Sequence, residues 1–312
     1  MTARVVAVVG PTAAGKSDLG VALAREIGGE VVNADSMALY RGMDVGTAKL
    51  TRQERRGVPH HLLDVWDVRT TATAAAYQRL CREVVDALLA RGTTPVLVGG
   101  SGLYLRAALD DLEFPGTDPE LRAQLEADLD EQGAPALHRR LAGLHAEAAS
   151  RMEPTNGRRV VRALEVVLMT GSMPGAMTAY DAHYETVYVG VDRPDLADRT
   201  GLRVDRMWAD GLVEEVRALE DRGLREGVTA SRALGYAQVL KQLDGTWSEP
   251  AAKEQTKVAT RRFVRRQRAW FRRDPRISWL APDADLLTGA LTLVNARAGR
   301  TAPGHACPFL PA

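Results

Sequence analysis

Apolar residues recur along the chain at two spacings, one typical of strands and one typical of helices. The run Val5–Val9 is mostly β-branched and predicts a buried strand. Apolar residues at helical spacing then predict a helix over Ser17–Glu26, and Glu30–Asn33 predicts a second strand. Strand, helix and strand in this order indicate the beginning of a parallel α/β sheet.

The same alternation continues along most of the chain, with one helical interruption. Further strands are predicted at His61–Val65, Thr94–Val98, Thr186–Val191 and Arg276–Leu280. Longer helices are predicted at Ala74–Arg91, Leu196–Trp208, Leu212–Arg222, Glu249–Arg273 and Asp283–Arg297. Only short helical patterns lie between residues 116 and 185, at Pro119–Glu131, Ala134–Leu144, Ala146–Arg151 and Arg158–Thr170. We therefore predict an α/β core formed by residues 1–115 and 186–300, an all-helical insertion at 116–185, and a disordered Pro/Gly-rich tail at 301–312.

Composition and charge narrow the class of protein. The 312 residues are 45% hydrophobic and 26% charged, which is ordinary for a soluble globular protein. A net charge of +1 excludes a uniformly basic protein, and the two cysteines form neither a metal-ligand pattern nor a disulfide framework. We find no signal peptide and no apolar run long enough to span a bilayer, so we expect a cytoplasmic protein without membrane contact.

The first strand leads into a candidate phosphate-binding loop. Residues 10–17 read GPTAAGKS, which matches the spacing G-x-x-x-x-G-K-[ST]. Such loops direct backbone N–H groups toward an anion at a helix N-terminus. Lys16 would reach the outer phosphate and the Ser17 hydroxyl would bind Mg²⁺. The alternative is an ordinary Gly-rich turn; if the loop is functional, an ATP- or GTP-binding kinase or NTPase is the first hypothesis.

Two further residues are candidates for chemistry, each with a structural alternative. Asp35 directly follows the second strand, so it should face the same cleft as Lys16. Its carboxylate would hold Mg²⁺ through water or act as a general base, or it would cap a helix. Arg232 precedes Gly235-Tyr236 and would clamp a leaving phosphate, or form a surface salt bridge.

The fourth strand ends in Gly99-Gly100-Ser101-Gly102. Nucleotide kinases and NTPases usually carry an aspartate at this position, so its absence weighs against ordinary ATP hydrolysis. Consecutive small residues instead indicate that the backbone approaches something bulky and flat.

The helix near the C-terminus is strongly basic. Residues 253–273 contain one acid, Glu254, and nine basic residues: Lys253, Lys257, Arg261, Arg262, Arg265, Arg266, Arg268, Arg272 and Arg273. Such a run is either a solvated face or a surface that follows a phosphate backbone. Arg158, Arg159 and Arg162 in the insertion form a second cluster, and together the two predict a nucleic-acid groove.

Several of these stretches together resemble the tRNA dimethylallyltransferase (tRNA isopentenyltransferase) family of bacterial type. The matching segments are GPTAAGKS at 10–17, DSMALYRGMDVGTAK at 35–49, PHHLLD at 59–64, VLVGGSGLY at 96–104, RRVVRALEV at 158–166 and RALGY at 232–236. The fold this resemblance implies is a parallel core like that of P-loop NTPases. The reaction it implies is transfer of a dimethylallyl group from its diphosphate to N6 of the adenosine 3′ of the anticodon, in tRNAs reading codons that begin with U.

The resemblance also implies roles for particular residues. The catalytic residues would be Asp35, Lys16, Ser17 and Arg232, with Asp35 acting on the N6 amine and Ser17 binding Mg²⁺. The diphosphate-binding residues would be Gly10, Thr12, Ala13, Ala14, Gly15, Lys16, Ser17 and Arg232. The tRNA-binding residues would be Asp35, Ser36, Met37, Ala38, Ser101, Arg122, Arg158, Arg159 and Arg162. The partners would be the tRNA anticodon stem-loop and dimethylallyl diphosphate, bound by a monomer.

Three other functions compete with this one. A P-loop kinase for nucleotides or small molecules shares the loop and the sheet. An adenylate isopentenyltransferase uses the same donor with free AMP, but would leave the basic helix and the insertion without a role. A non-catalytic RNA-binding protein would give Asp35, Lys16 and Arg232 no reason to converge.

Overall fold

Six parallel strands form one sheet within the described part of the chain. The computed structural model describes residues 4–173, 180–281 and 285–298. The strands are β1 (Val5–Val9), β2 (Glu30–Asn33), β3 (His60–His61), β4 (Pro95–Gly99), β5 (Thr186–Gly190) and β6 (Ile277–Trp279). Their order in the sheet is β3-β2-β4-β1-β5-β6, and every neighbouring pair is parallel. The strand β1 therefore lies in the middle, hydrogen-bonded to both β4 and β5.

The valine-rich strands are buried because helices cover both faces of the sheet. Alternate side chains of β1 enter two different apolar clusters: Val5 and Val9 pack with Leu97, whereas Val6 and Val8 pack on the opposite face. This alternation follows from the two-residue period of a strand. Burial on both faces explains why the sequence of β1 is uniformly apolar.

Twelve α-helices are described. They are α1 (Lys16–Ile27), α2 (Ala74–Ala90), α3 (Gly102–Leu109), α4 (Pro119–Gln132), α5 (Ala134–Leu144), α6 (Ala146–Ser150), α7 (Gly157–Thr170), α8 (Leu196–Ala209), α9 (Leu212–Glu220), α10 (Tyr236–Leu243), α11 (Glu249–Phe271) and α12 (Leu286–Ala298). Several begin with the side-chain caps that stabilise helix starts; Thr73 and Ser248, for example, accept hydrogen bonds from the first turns of α2 and α11. Within the described residues, no helix has the length and apolarity needed to cross a bilayer.

The chain divides into two compact units. One unit comprises residues 111–181, and the other comprises the chain before and after that segment. The smaller unit holds α4 to α7, whose buried residues include Leu125, Leu141 and Leu164. The sequence predicted this insertion at 116–185, whereas the compact unit spans residues 111–181. The larger unit contains the whole sheet.

The α/β class and most elements agree with the sequence-based predictions, with two exceptions. The strand predicted over His61–Val65 is wrong beyond His61, because Leu62 and Asp64 adopt φ of 59°, which breaks an extended backbone. The helix α10 was not predicted. The predicted helix start at Asp283 and the tail 301–312 lie outside the described residues.

Candidate active site

The loop between β1 and α1 is shaped to receive an anion. Its backbone is left-handed at Gly10 (φ 141°), Ala13 (φ 64°) and Gly15 (φ 97°). A side chain at Gly10 would place Cβ 2.0 Å from the Val191 carbonyl oxygen, so only glycine fits there. Among the described residues, no side chain caps the start of α1. Its first N–H groups therefore remain available to a bound phosphate.

Lys16 is a buried cation that forms no ion pair among the described residues. Its Nζ donates a hydrogen bond to the Pro11 carbonyl oxygen at 2.6 Å. Burial lowers the pKa of Lys16 from 10.5 to about 8; Asp35 opposes this shift, and Arg203 adds to it. A buried positive charge of this kind gains free energy when an anion binds beside it.

Arg203, on α8, is a second cation near Lys16. Its Nη2 donates to the Thr47 carbonyl oxygen at 2.8 Å. Burial lowers the pKa of Arg203, and Asp35 offsets part of the effect. Sequence reasoning missed this residue, because α8 also carries Arg199 and Arg206 and nothing in the sequence distinguishes the three.

Asp35 lies at the end of β2, held by a local network. Its Oδ1 accepts a hydrogen bond from Met37 N at 2.9 Å. Asn33 brackets the same turn: its Nδ2 donates to the Asp35 carbonyl oxygen at 2.9 Å, and its Oδ1 accepts from Asp35 N at 3.0 Å. The carboxylate thus caps a turn rather than a helix, and it also lines a cavity.

Two cavities meet at the phosphate-binding loop. The smaller, about 100 Å³, is lined by Thr12, Lys16, Ser17, Val31, Asn33, Asp35, Ala38, Thr47, Ala48, Lys49, Leu50, His60, Leu63, Val98, Gly99, Gly100 and Arg203. The larger, about 660 Å³, shares Lys16, Ser17, Ala48, Lys49, Leu50 and Arg203 with it. Cationic side chains, a hydroxyl and a carboxylate therefore converge on one space with apolar walls.

The remaining predicted residues near this space are Ser36, Met37 and Ser101. The Ser101 hydroxyl accepts from Ser36 N at 3.1 Å and donates to the Ser36 Oγ at 3.2 Å. This contact ties the turn that carries Asp35 and Met37 to the end of β4. The structure therefore brings these residues together with Asp35.

The glycines after β4 are explained by protein contacts. A Cβ at Gly100 would lie 2.4 Å from Gln267 Nε2, and one at Gly102 would lie 2.2 Å from the Trp270 ring. The bulky, flat partner expected from the sequence is thus matched by an indole of α11. Gln267 donates to the Gly100 carbonyl oxygen at 2.9 Å and accepts from Thr12 N at 2.9 Å, which joins α11 to the phosphate-binding loop.

Arg232 lies apart from this convergence. It is exposed at the end of a short 3₁₀ helix, Ala230–Arg232, and it lines neither of the two cavities. Arg203 is the arginine that lines both cavities, whereas Arg199 and Arg206 line only the larger one. A single sequence could not distinguish Arg203 from Arg232, because which arginine faces the cavity depends on how the elements pack.

In the helical unit, the predicted tRNA-binding arginines fall into two groups. Arg122 and Arg162 both form ion pairs with Glu165, whose side chain is fully buried. Burial raises the pKa of Glu165, but the hydrogen bonds from the two arginines outweigh it and leave the pKa lowered. Arg158 and Arg159 are exposed, and within the described part of the chain neither forms an ion pair.

Much of the positive charge on α11 is neutralised locally. Lys253, Lys257, Arg261 and Arg268 form ion pairs with Glu249, Asp205, Glu254 and Asp192, respectively. Arg262 and Arg265 are exposed, and the described residues place no acidic partner beside them. The helix therefore offers a weaker basic surface than its composition indicates.

Comparison with known proteins identifies the family. A family model described as IPP transferase matches residues 38–274. The chain is 64% identical over 303 residues to the tRNA dimethylallyltransferase of Streptomyces coelicolor, covering 94% of this chain and 96% of that protein. The chain belongs to the tRNA dimethylallyltransferase family. This confirms the resemblance noted in the sequence.

Other comparisons agree with membership of the tRNA dimethylallyltransferase family. The Thermobifida fusca member is 62% identical over 300 residues, covering 93% of this chain and 94% of that protein. The tRNA isopentenylpyrophosphate transferase of Bacillus halodurans has a TM-score of 0.70 at 38% identity, covering 95% and 96% of the two chains. A eukaryotic dimethylallyltransferase acting on tRNA, 24% identical with a TM-score of 0.76, shares the fold; 95% of this chain and 77% of that one are covered.

Proposed function

We propose that this chain transfers a dimethylallyl group from dimethylallyl diphosphate to N6 of the adenosine 3′ of the anticodon, in tRNAs reading codons that begin with U. Support comes from family membership and, above all, from one observation: Lys16, Ser17, Asp35 and Arg203 line the same cavity. Because all four belong to one chain, we propose that a monomer is active. We also propose that the reaction takes place in the cytoplasm, in keeping with a tRNA acceptor.

The diphosphate of the donor would bind at the phosphate-binding loop. Backbone N–H groups at the start of α1, Lys16 and Arg203 would take up the negative charge that develops as the bond from carbon one to oxygen breaks. Such preorganised donors contribute more in a water-excluded site than in solution. This proposal assigns to Arg203 the role that the sequence assigned to Arg232.

The acceptor nitrogen would meet the donor near Asp35. The N6 lone pair attacks carbon one, the electrons of the breaking bond leave with diphosphate, and N6 then loses a proton. Asp35 is positioned to accept that proton or to orient the amine. The adenine must leave the anticodon stack to reach the cavity, at a cost of a few kcal/mol.

A magnesium ion fits this site only if it is shared with the substrate. The described residues contain no group of three or more His, Cys, Asp or Glu side chains that could hold a metal. Mg²⁺ commonly combines one or two protein oxygens with phosphate oxygens and water. The Ser17 hydroxyl would be the protein oxygen, and the ion would neutralise charge on the diphosphate.

The experiment is a transfer assay with labelled dimethylallyl diphosphate and unmodified tRNA, read by mass spectrometry of the nucleosides. We expect one adenosine to gain the prenyl mass. Asp35→Asn retains an acceptor for Met37 N, so folding should persist while the rate falls about 10²- to 10⁴-fold. The exposed Asp221→Asn is the matched control.

Substrate competition separates this function from its alternatives. Transfer to free AMP without tRNA would indicate an adenylate isopentenyltransferase. Transfer of a phosphate from ATP to a nucleotide or another small molecule, together with loss of prenyl transfer when ATP is added, would indicate a kinase. An unchanged rate in Asp35→Asn would contradict the proposed role of the carboxylate.

A further inference from the structure

The segment 44–47, which follows the turn carrying Asp35, is fixed on both sides by residues from distant helices. It lies within the stretch 35–49 and contributes Asp44 and Val45 to the larger cavity and Thr47 to the smaller. We call residues 44–47 the cavity segment. Its backbone is irregular, so its position depends on contacts outside itself.

Glu215, on α9, binds one side of the cavity segment. Its Oε2 accepts from Asp44 N at 3.0 Å and from Val45 N at 2.7 Å. Its Oε1 accepts from Gly46 N at 3.2 Å and from the Tyr236 hydroxyl at 2.5 Å. A single carboxylate thus satisfies three consecutive backbone N–H groups, which is a strong, charge-assisted attachment.

Tyr236, on α10, contacts both Glu215 and the cavity segment. A Cβ at Gly46 would lie 2.4 to 2.7 Å from the edge and hydroxyl of the Tyr236 ring, so the segment can approach the ring only because residue 46 is glycine. Burial raises the pKa of Tyr236, as does the neighbouring Glu215 carboxylate. The hydroxyl therefore stays protonated and remains a donor.

On its other side, the cavity segment holds Arg203. The Thr47 carbonyl oxygen accepts from Arg203 Nη2 at 2.8 Å, and the Thr47 hydroxyl donates to the Met43 carbonyl oxygen at 2.7 Å. Arg203 lines both cavities. A continuous path of hydrogen bonds and backbone therefore runs from Glu215 through residues 44–47 to Arg203.

We propose that Glu215 is a positioning residue for Arg203, acting through the cavity segment. This inference rests on the proposed function, in which Arg203 binds the departing diphosphate. The carboxylate fixes the Thr47 carbonyl, and that carbonyl fixes the guanidinium at the place where negative charge develops. A small displacement of a charge-stabilising group is costly, because its effect on the transition state depends on orientation.

The test is a double-mutant cycle between Glu215 and Arg203, measured as kcat/KM for dimethylallyl diphosphate at saturating tRNA. We expect Glu215→Ala to lower kcat/KM about 10- to 100-fold. In an Arg203→Gln background, the same change should have an effect below about twofold, because the residue through which it acts is gone. Glu214→Gln, an exposed neighbour on α9, is the control for the change of charge.

Binding of inorganic diphosphate supplies a readout that a purely structural role would not affect selectively. We expect its affinity to fall in Glu215→Ala while tRNA affinity is unchanged. Glu215→Gln keeps one acceptor and should lie between wild type and Glu215→Ala; if the alanine variant does not fold, the cycle is run with the glutamine variant. Fully multiplicative effects of the two mutations, or equal losses of diphosphate and tRNA binding, would overturn the proposal.

Failure of the proposed function is a different outcome. If the wild-type protein transfers no prenyl group, the function itself is wrong. If the wild type is active and the cycle shows no coupling, only the role of Glu215 is wrong.

Discussion

Two sets of cationic side chains in this molecule differ in how their charge is balanced. Lys16 and Arg203 line one cavity and form no ion pair among the described residues, and burial lowers the pKa of each although Asp35 offsets part of the effect. Arg122 and Arg162, in the helical unit, both contact the buried carboxylate of Glu165. The first set gains free energy when an anion binds, whereas the second already has its anion. The unbalanced set therefore indicates a site, and the balanced set indicates a structural role.

The largest expected effect comes from substituting each of the two candidate arginines, Arg203 and Arg232, in separate variants. We expect Arg203→Gln to lower kcat/KM for dimethylallyl diphosphate about 10²- to 10³-fold, because it removes a donor aimed at developing charge. Arg232→Gln serves as the matched variant and should change kcat/KM less than about twofold, since Arg232 is exposed and lines neither cavity. Steady-state kinetics decides, and a larger loss in the Arg232 variant would reverse our assignment.

The balanced set is tested through stability. Glu165→Gln should lower the free energy of unfolding of the helical unit by about 1.5–3 kcal/mol, because hydrogen bonds to a charged acceptor are weakened. Hydrogen exchange of the amides in residues 111–173 measures this locally, with the exposed Glu126→Gln as the control. Unchanged protection would show that the arginines do not depend on this carboxylate.

The same carboxylate predicts a response to acid. The pKa of Glu165 in the folded protein lies below its ordinary value of 4.5. Its stabilising contribution is therefore present above pH 4.5 and is lost as the pH falls through the lower, folded value. Protection of the helical unit should decline in that range in the wild type and decline less in Glu165→Gln.

Alkaline pH tests the unbalanced set. Because the pKa of Lys16 is about 8, the neutral amine accumulates in the free enzyme above that pH. We expect kcat/KM for the donor to fall about tenfold per pH unit above 8, whereas kcat falls less because bound diphosphate keeps the lysine charged. The contribution of Lys16 to stability should instead rise between pH 8 and 10.5, since the unfolded chain binds more protons there. A kcat/KM for the donor that stays constant up to about pH 9 would contradict a lowered pKa of Lys16.

The smallest effect is expected at the exposed arginines of the helical unit. If Arg158 contacts a tRNA phosphate, Arg158→Gln should weaken tRNA binding several-fold and reduce the salt dependence of binding by roughly one charge. Arg139→Gln, also exposed in the same unit, is the control. Equal effects of both substitutions would indicate only a general contribution of positive charge.

Local sequence patterns predicted most of the fold because they depend on local chemistry. The valine-rich β1, the loop at 10–17 and the helix caps are each specified by adjacent residues. The strand prediction failed at Leu62 and Asp64, where the backbone is left-handed although the apolar run indicates a strand. Arg203 was not considered from the sequence for a related reason, since a side chain's access to a cavity is decided by packing.

Gln267 was also beyond sequence reasoning. It lies within a run of arginines, and its role depends on two main-chain groups, at Thr12 and Gly100, that are far away in the chain. The glycines at 99–102 predicted a close approach correctly. That an indole and an amide of α11 meet Gly102 and Gly100 could be learned only from the structure.

The hydrogen bond between Thr12 and Gln267 also bears on biosynthesis, because it joins residues 255 positions apart. A ribosome releases the N-terminal loop long before it makes the side chain that holds it. The nascent chain would therefore carry an unfinished anion site, while the helical unit, contiguous in sequence, can already fold. Binding competence would then depend on the synthesis of α11.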